Sequence, residues 1–151
     1  MIADRVAAVR ERIARAAACA GREPEEIALL AVSKTHPAAA VKEAFESGLR
    51  LFGENRIQEA APKIAELQEL RQLGLEWHLV GHLQSNKARK AVSLFDFVHS
   101  MDSLDLAARL ASLGREGGRA VRALIQVDLA GEETKSGLPA RDLLRALEAL
   151  R

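Results

Sequence analysis

Aromatic residues are scarce in this chain of 151 residues, which has no tyrosine, one tryptophan and four phenylalanines. So few rings exclude a stacking platform for single-stranded nucleic acid. The net charge of +1 also lacks the basic excess of a nucleic-acid-binding protein. No segment approaches the roughly 20 consecutive apolar residues of a membrane span, and charged residues interrupt the first apolar ones, unlike in a signal peptide. The sequence therefore predicts neither a nucleic-acid nor a membrane partner.

Cysteine is nearly absent as well, since Cys19 is the only one. A disulfide cannot form within the chain, and this usage is typical of a reducing compartment, so we predict a cytoplasmic location. The apolar share of 48% and the charged share of 28% are ordinary for a globular protein. Because this length suffices for one hydrophobic core, we predict a single domain over residues 1–151.

Helix-like and strand-like segments alternate along the chain. An amphipathic helix over residues 2–20 comes first, with its apolar residues three or four apart. The alternation that follows predicts a parallel sheet with right-handed crossovers. The predicted strands are 28–32, 50–52, 76–80, 95–99 and 121–128, and the predicted helices are 37–47, 58–70, 87–92, 102–113 and 139–151.

Two parallel architectures suit this alternation, an open doubly wound sheet and a (β/α) barrel of the TIM type. The first predicted strand is followed by Ser33-Lys34-Thr35, without the glycines of a phosphate-binding loop, which favours the barrel. A closed barrel needs about eight strand–helix units and about 250 residues. The chain supplies five predicted units, so we expect an incomplete barrel that lacks its C-terminal units. Its open sheet edges suggest self-association.

Lys34 is the most informative residue of the sequence. It follows the apolar segment 27–32, which reads as a strand buried in the sheet. Parallel barrels build their sites at the carboxyl ends of their strands. A lysine in a partly apolar site loses proton affinity, and its neutral amine can attack a carbonyl to form a Schiff base. The alternative is a lysine that only extends into solvent.

Polar residues also follow the next predicted strands. Asn55 could contact a ligand, or serve as a turn residue or helix cap. Glu54 could pair with a neighbouring base. His78 and His82 are four residues apart, but they belong to a strand and its exit and not to a helix, so their spacing does not favour zinc. We therefore predict no metal site, and place His78 at the rim of a pocket or as a hydrogen-bonded core residue.

Several motifs along the whole chain, in order and in register, resemble those of the pyridoxal phosphate homeostasis proteins. The similarity lies in several residues in a row at each site, which makes chance agreement a poor explanation. The motifs are Leu30-Ala31-Val32-Ser33-Lys34-Thr35, Phe52-Gly53-Glu54-Asn55 with Gln58-Glu59, Trp77-His78 with Gly81-His82-Leu83-Gln84-Ser85-Asn86-Lys87, and Lys135-Ser136-Gly137.

The resemblance implies a barrel similar to the N-terminal domain of alanine racemase, binding pyridoxal 5′-phosphate (PLP). It implies that Lys34 forms the Schiff base, that Asn55 and His78 face the cofactor, and that no residue is catalytic. PLP-dependent apo-enzymes are the implied recipients. Family members hold the phosphate with later serine/glycine and Arg-x-Gly-Thr motifs, which these 151 residues lack. We therefore expect the chain to match the N-terminal two thirds of such a protein and to bind PLP weakly.

Two other functions use the same lysine. A PLP-dependent amino-acid racemase or lyase would need a second acid–base group, which tyrosine supplies in alanine racemase and which this tyrosine-free chain does not offer in that form. A Schiff-base aldolase without a cofactor explains Lys34 equally well from its chemistry. Only the family motifs disfavour the aldolase.

Overall fold

The computed structural model describes residues 1–131 and 136–150, and these form a parallel α/β fold. None of the described helices is long and apolar enough to cross a membrane. The helices are α1 (Ile2–Cys19), α2 (Ala38–Glu46), α3 (Ile57–Glu66), α4 (Gln68–Gln72), α5 (Ala88–Leu94), α6 (Leu104–Glu116) and α7 (Leu143–Ala149). The strands are β1 (Leu30–Val32), β2 (Leu51–Glu54), β3 (Glu76–Leu79), β4 (Phe97–Met101), β5 (Arg122–Ile125), β6 (Val127–Asp128) and β7 (Leu138–Pro139).

The main sheet has five parallel strands in the order β1-β2-β3-β4-β5. Each strand pairs with the next one along the chain. A doubly wound sheet reverses direction at a switch point, and no reversal occurs here. The predicted parallel fold is therefore confirmed, with an open sheet that follows one direction of winding, as in a section of a barrel. The short strands β6 and β7 form a second parallel pair.

The hydrophobic core lies between the sheet and its helices. Ala31, Phe52 and Trp77 are register partners on the helix-facing side of neighbouring strands, and the two aromatic rings are almost fully buried. Val41 of α2 and Ile64 of α3 belong to the same core. Side chains alternate between the two faces of a strand, so this packing leaves the residues between them on the opposite face, which we call the inner face.

The inner face is partly exposed on the two edge strands, and this corrects one expectation. The strand before Lys34 was expected to be buried, yet Val32 is 48% exposed, and Leu30 and Ala31 are half-buried. β1 is an edge strand, so among the described residues it has a strand neighbour on one side only. Leu124 of β5 is similarly open at 49%.

Several predicted boundaries differ from those observed. The helix predicted over 58–70 is divided at Leu67 into α3 and α4, and Pro62, expected in the first turn or at a kink, lies inside α3. The strand predicted over 121–128 is interrupted at Gln126, whose amide donates to the carbonyl of Met101. The helix predicted to begin at Pro139 begins at Leu143, after β7 and a short 3-10 turn.

The sequence predicts Asn86 or Ser85 as the cap of the helix over 87–92 and Asp102 as the cap of the following helix, and both predictions are wrong. Neither Ser85 nor Asn86 caps α5, because both lie in a 3-10 turn that precedes it. The cap of α6 is Ser103 and not Asp102, since the Ser103 hydroxyl accepts a hydrogen bond from the amide of Leu106 at 3.2 Å. Hydroxyl and carboxylate side chains cap helices about equally well, so composition alone does not choose between neighbours.

Gly81 allows the exit of β3 to pass close to the exit of β2. A Cβ atom at this position would lie 2.1 Å from the carbonyl oxygen of Asn55. We expect Gly81→Ala to lower the free energy of unfolding by about 3 kcal/mol, because the backbone must shift to relieve the overlap. Urea denaturation measures this change. Gly117→Ala is the matched control, since its Cβ meets nothing closer than 3.4 Å. Equal losses in the two variants would contradict the prediction.

Candidate functional site

The structure brings the predicted site residues to one end and one face of the sheet. Val32, Gly53, His78 and Phe97 are register partners across four strands and lie on the inner face. Lys34 and Asn55 follow β1 and β2 at the carboxyl edge. Lys34 is exposed, Asn55 is half-buried and His78 is 7% exposed. In the strand register, His78 is level with Val32 and Gly53, which come two residues before Lys34 and Asn55. Two residues of a strand span about 6.6 Å, so His78 lies about that far below the carboxyl edge of the sheet.

The residue before Lys34 is fixed by a buried polar cluster of Ser33, Glu54 and Lys63. Oε1 of Glu54 accepts hydrogen bonds from Nζ of Lys63 at 2.6 Å and from the Ser33 hydroxyl at 2.7 Å. Nζ of Lys63 also donates to the Ser33 carbonyl at 2.8 Å. The Glu54 and Lys63 side chains are 0% and 6% exposed. The predicted pairing of Glu54 with a base is therefore confirmed.

Thr35, the residue after Lys34, is held by a contact from α3, the helix that also carries Lys63. Thr35 has a φ of 65°, in the left-handed region that β-branched residues rarely adopt. Its amide donates a hydrogen bond to the carboxylate of Glu59 in α3. Glu59 and Lys63 are four residues apart and thus share one face of the helix. Sequence reasoning did not find these two contacts, because neither residue type signals a distant backbone partner.

A ring cluster surrounds His78 on the inner face. Nδ1 of His78 lies 2.8 Å from Nε2 of His99, so one ring donates a hydrogen bond and the other accepts it as a neutral imidazole. The His78 ring stacks on Phe97 at 5.3 Å between centroids with an interplanar angle of 5°. Nε2 of His78 is buried and has no hydrogen-bond partner in the described part of the chain.

The charges beside this cluster come from the amino-terminal end of the sheet. Arg122 forms a 2.5 Å ion pair with Glu76, and its guanidinium lies over the Phe97 ring, 5.4 Å from the centroid. Burial lowers the pKa of His78, and the neighbouring His99 lowers it further. Burial also lowers the pKa of His99. Both rings therefore favour the neutral form.

Two histidines that invited a metal interpretation are separated by the fold. His78 contacts His99, whereas Nδ1 of His82 pairs with the carboxylate of Asp102 at 3.2 Å. Within residues 1–131 and 136–150, no group of three or more His, Cys, Asp or Glu side chains is arranged to hold a metal ion.

The fourth family-like motif is only partly described. Lys135 lies outside the described residues. The carbonyl of Ser136 accepts a hydrogen bond from the side chain of Gln126, and the amide of Leu138 donates to the Gln126 carbonyl at 2.8 Å. Gln126 thus fixes the segment that follows the motif against the end of β5.

This fold and this site define a class of protein. Its members are parallel α/β domains of barrel type with a lysine at the carboxyl end of the first strand. Residues 5–151 match the family model for the N-terminal domain of alanine racemase. The chain belongs to this family.

Relatives of known name and structure agree with this assignment. The chain is 47% identical over 142 residues to the pyridoxal phosphate homeostasis protein of Escherichia coli, a match that covers 94% of the chain and 61% of the relative. PipY of Synechococcus elongatus, solved with PLP bound, is 46% identical, with a TM-score of 0.84 over 99% of this chain and 64% of PipY. The resemblance drawn from the motifs is confirmed.

More distant structures share the fold alone. An alanine racemase of Clostridium difficile has a TM-score of 0.63 at 19% identity, over 83% of this chain and 32% of the racemase. The chain spans less than two thirds of the length of its curated relative. What the whole relatives do is therefore carried to this chain only as a proposal.

Removing Lys63 tests the buried ion pair. We expect Lys63→Met to lower the free energy of unfolding by about 3–5 kcal/mol, because it leaves the Glu54 carboxylate buried without its cation. Adding Glu54→Gln should recover part of the loss. Urea denaturation measures both variants. Lys90→Met, at an exposed position of α5, serves as the control and should change stability by less than about 0.5 kcal/mol. Additive losses in the double variant would contradict a coupled pair.

The histidine pair predicts a dependence of stability on pH. Since the folded pKa values of His78 and His99 lie below that of an unfolded histidine, the unfolded chain binds protons first on acidification. Their contribution to stability is intact above about pH 6.5 and is lost as the pH falls from there through the lowered values. Denaturation at several pH values measures it. His99→Gln should flatten the slope and exposed His36→Gln should not; equal slopes would contradict this assignment.

Proposed function

We propose that this chain binds PLP reversibly and covalently through Lys34 and serves PLP homeostasis. The likeness to PipY with PLP bound, over 99% of this chain, carries the proposal. The name of the Escherichia coli relative supports the homeostatic role. Lys34 supports it from this chain, because it stands at the carboxyl edge of the sheet beside Asn55 and above His78.

The inner face suits a flat ring. At Gly53, a Cβ atom would lie 3.3 Å from Cγ2 of Val32 and from Cγ1 of Val80. Glycine therefore lets these two side chains pack over β2, and Val32, which is 48% exposed, presents an apolar surface two residues before Lys34. One strand further, the His78 ring stacks on Phe97, and its buried Nε2 lies 3.9 Å from the carboxylate of Glu76. We propose that the apolar surface at Val32 and the aromatic surface beyond it fit the pyridine half of PLP.

PLP supplies an aldehyde carbon that an amine can attack. Nζ of Lys34, as the free amine, forms a carbon–nitrogen double bond to that carbon, and the aldehyde oxygen leaves as water. Asn55 is proposed to donate its amide to the ring hydroxyl, and His78 to line the pocket beneath. The histidine ring, held neutral by burial, adds no positive charge beside the lysine.

The phosphate is the part of PLP for which these 151 residues contain no Arg-x-Gly-Thr motif. We propose that the chain alone holds PLP mainly through the aldehyde and therefore weakly. 5-Deoxypyridoxal, which has the same aldehyde and no phosphate, should then bind with similar affinity.

The role that we propose is a carrier and not an enzyme, since the relative bears the name of a homeostasis protein. PLP-dependent apo-enzymes are the proposed recipients, residues 1–151 the proposed single domain, and the cytoplasm the proposed location. Self-association through the open sheet edges remains part of the same proposal.

Borohydride trapping tests the role of Lys34. The chain is mixed with PLP, the visible absorbance band is recorded, and the reduced adduct is mapped by mass spectrometry. We expect the label on Lys34, and we expect Lys34→Met to lose both band and label. Lys42→Met, at an exposed position of α2, is the control and should retain both. A label that persists in Lys34→Met would overturn the assignment. Turnover of an amino acid by the loaded protein would instead favour a racemase or lyase.

A further inference from the structure

We propose that α3 is a clamp that positions Lys34, with Glu59 and Lys63 as its two positioning residues. The inference rests on the proposed function, because it concerns how Nζ of Lys34 is presented to an aldehyde. Neither Glu59 nor Lys63 needs to touch the cofactor. Each acts on the backbone beside Lys34, one before it and one after it.

The first half of the clamp fixes Ser33. Nζ of Lys63 donates to the Ser33 carbonyl at 2.8 Å, and the Ser33 hydroxyl donates to Oε1 of Glu54 at 2.7 Å. The Ser33 amide donates to the Gly53 carbonyl at 2.8 Å, which extends the β1–β2 ladder by one residue. Every hydrogen-bonding group of Ser33 thus contacts β2 or α3, apart from the turn that its carbonyl forms with the amide of His36.

The second half fixes Thr35. Its φ of 65° is unfavourable for a β-branched residue and persists only where neighbouring contacts hold it. The hydrogen bond to the Glu59 carboxylate provides such a hold, because it ties the Thr35 amide to a side chain that is anchored in α3. The backbone therefore turns sharply at Thr35, directly after Lys34, and the bond to Glu59 stabilises this turn.

The two halves act from one helix face. Glu59 and Lys63 are separated by about one helical turn, and they carry opposite charges that reach opposite kinds of backbone group, an amide and a carbonyl. Lys34 lies between the two fixed residues, while its own side chain is exposed. With both flanking residues held, the Cα–Cβ bond of Lys34 has one direction. Pre-orientation of this kind raises the rate of a reaction with a bound partner.

The decisive comparison is between three changes at Glu59. Glu59→Ala removes the acceptor for the Thr35 amide. Glu59→Gln keeps an acceptor oxygen without the charge, and Glu59→Asp keeps the charge but withdraws it by one methylene. Positioning predicts that the glutamine variant resembles the wild type and that the alanine and aspartate variants do not. If Glu59 instead acts on Lys34 through its charge, the aspartate variant should resemble the wild type and the glutamine variant should not.

Two measurements are made on the full chain. The first is hydrogen exchange at the Thr35 amide without any cofactor, which we expect to be about tenfold faster in Glu59→Ala, as suits the loss of one hydrogen bond. The second is the rate at which PLP and borohydride label Lys34, which we expect to fall several-fold in the same variant. Glu66→Ala, at an exposed position near the end of α3, is the matched control and should change neither.

The outcomes separate this inference from the proposed function. No label on Lys34 in the wild type would defeat the proposed function, whereas the exchange measurement would still test the clamp. A labelled wild type with an unchanged labelling rate in both Glu59→Ala and Glu59→Asp would overturn the positioning role. If Glu59→Ala does not fold, as judged by circular dichroism, Glu59→Asp alone decides, since it retains the charge and most of the side chain.

Discussion

A single buried ion pair, between Glu54 and Lys63, is the interaction on which the site depends. Glu54 ends β2, Lys63 belongs to α3, and both contact Ser33 at the end of β1. Burial of two charges is unfavourable unless each finds its partner and its hydrogen bonds. The pair therefore allows one arrangement of the three elements. An edge strand of three residues has few ladder hydrogen bonds of its own, so this cluster also secures β1 to the sheet.

The two faces of the sheet serve different purposes. The helix-facing side is filled by large apolar side chains such as Phe52, Trp77 and Leu79, and it provides most of the stability. The inner face carries rings, a glycine and ionisable groups instead, and at Val32 and Leu124 it is half open. The compositions of the two faces are linked, because side chains alternate along a strand. When one residue points into the core, the next one points to the inner face. The position of His78 is thus a consequence of the burial of Trp77 and Leu79.

Sequence reasoning reached the elements whose signals are local. The apolar segment before Lys34, the alternation of strands with helices and the missing phosphate loop were enough for the parallel fold and for the lysine at its edge. Contacts set by register were out of reach, since nothing near His78 reveals that His99 lies beside it across one strand pairing. The burial of β1 was misjudged because composition cannot distinguish an edge strand from a central one. The Glu59–Thr35 contact depends on a positive φ at Thr35, which cannot be predicted from a threonine in the sequence.

The sequential strand order has a consequence for which parts of the chain can vary independently of Lys34. Each of the five strands pairs with its neighbour in the chain, so every pairing of the main sheet closes a short loop. The residues that fix the backbone around Lys34 all fall within positions 33–63. None of these hydrogen bonds involves β3 or a later strand among the described residues. Substitutions in β3, β4 and β5 can therefore change the inner face without altering the backbone on either side of Lys34.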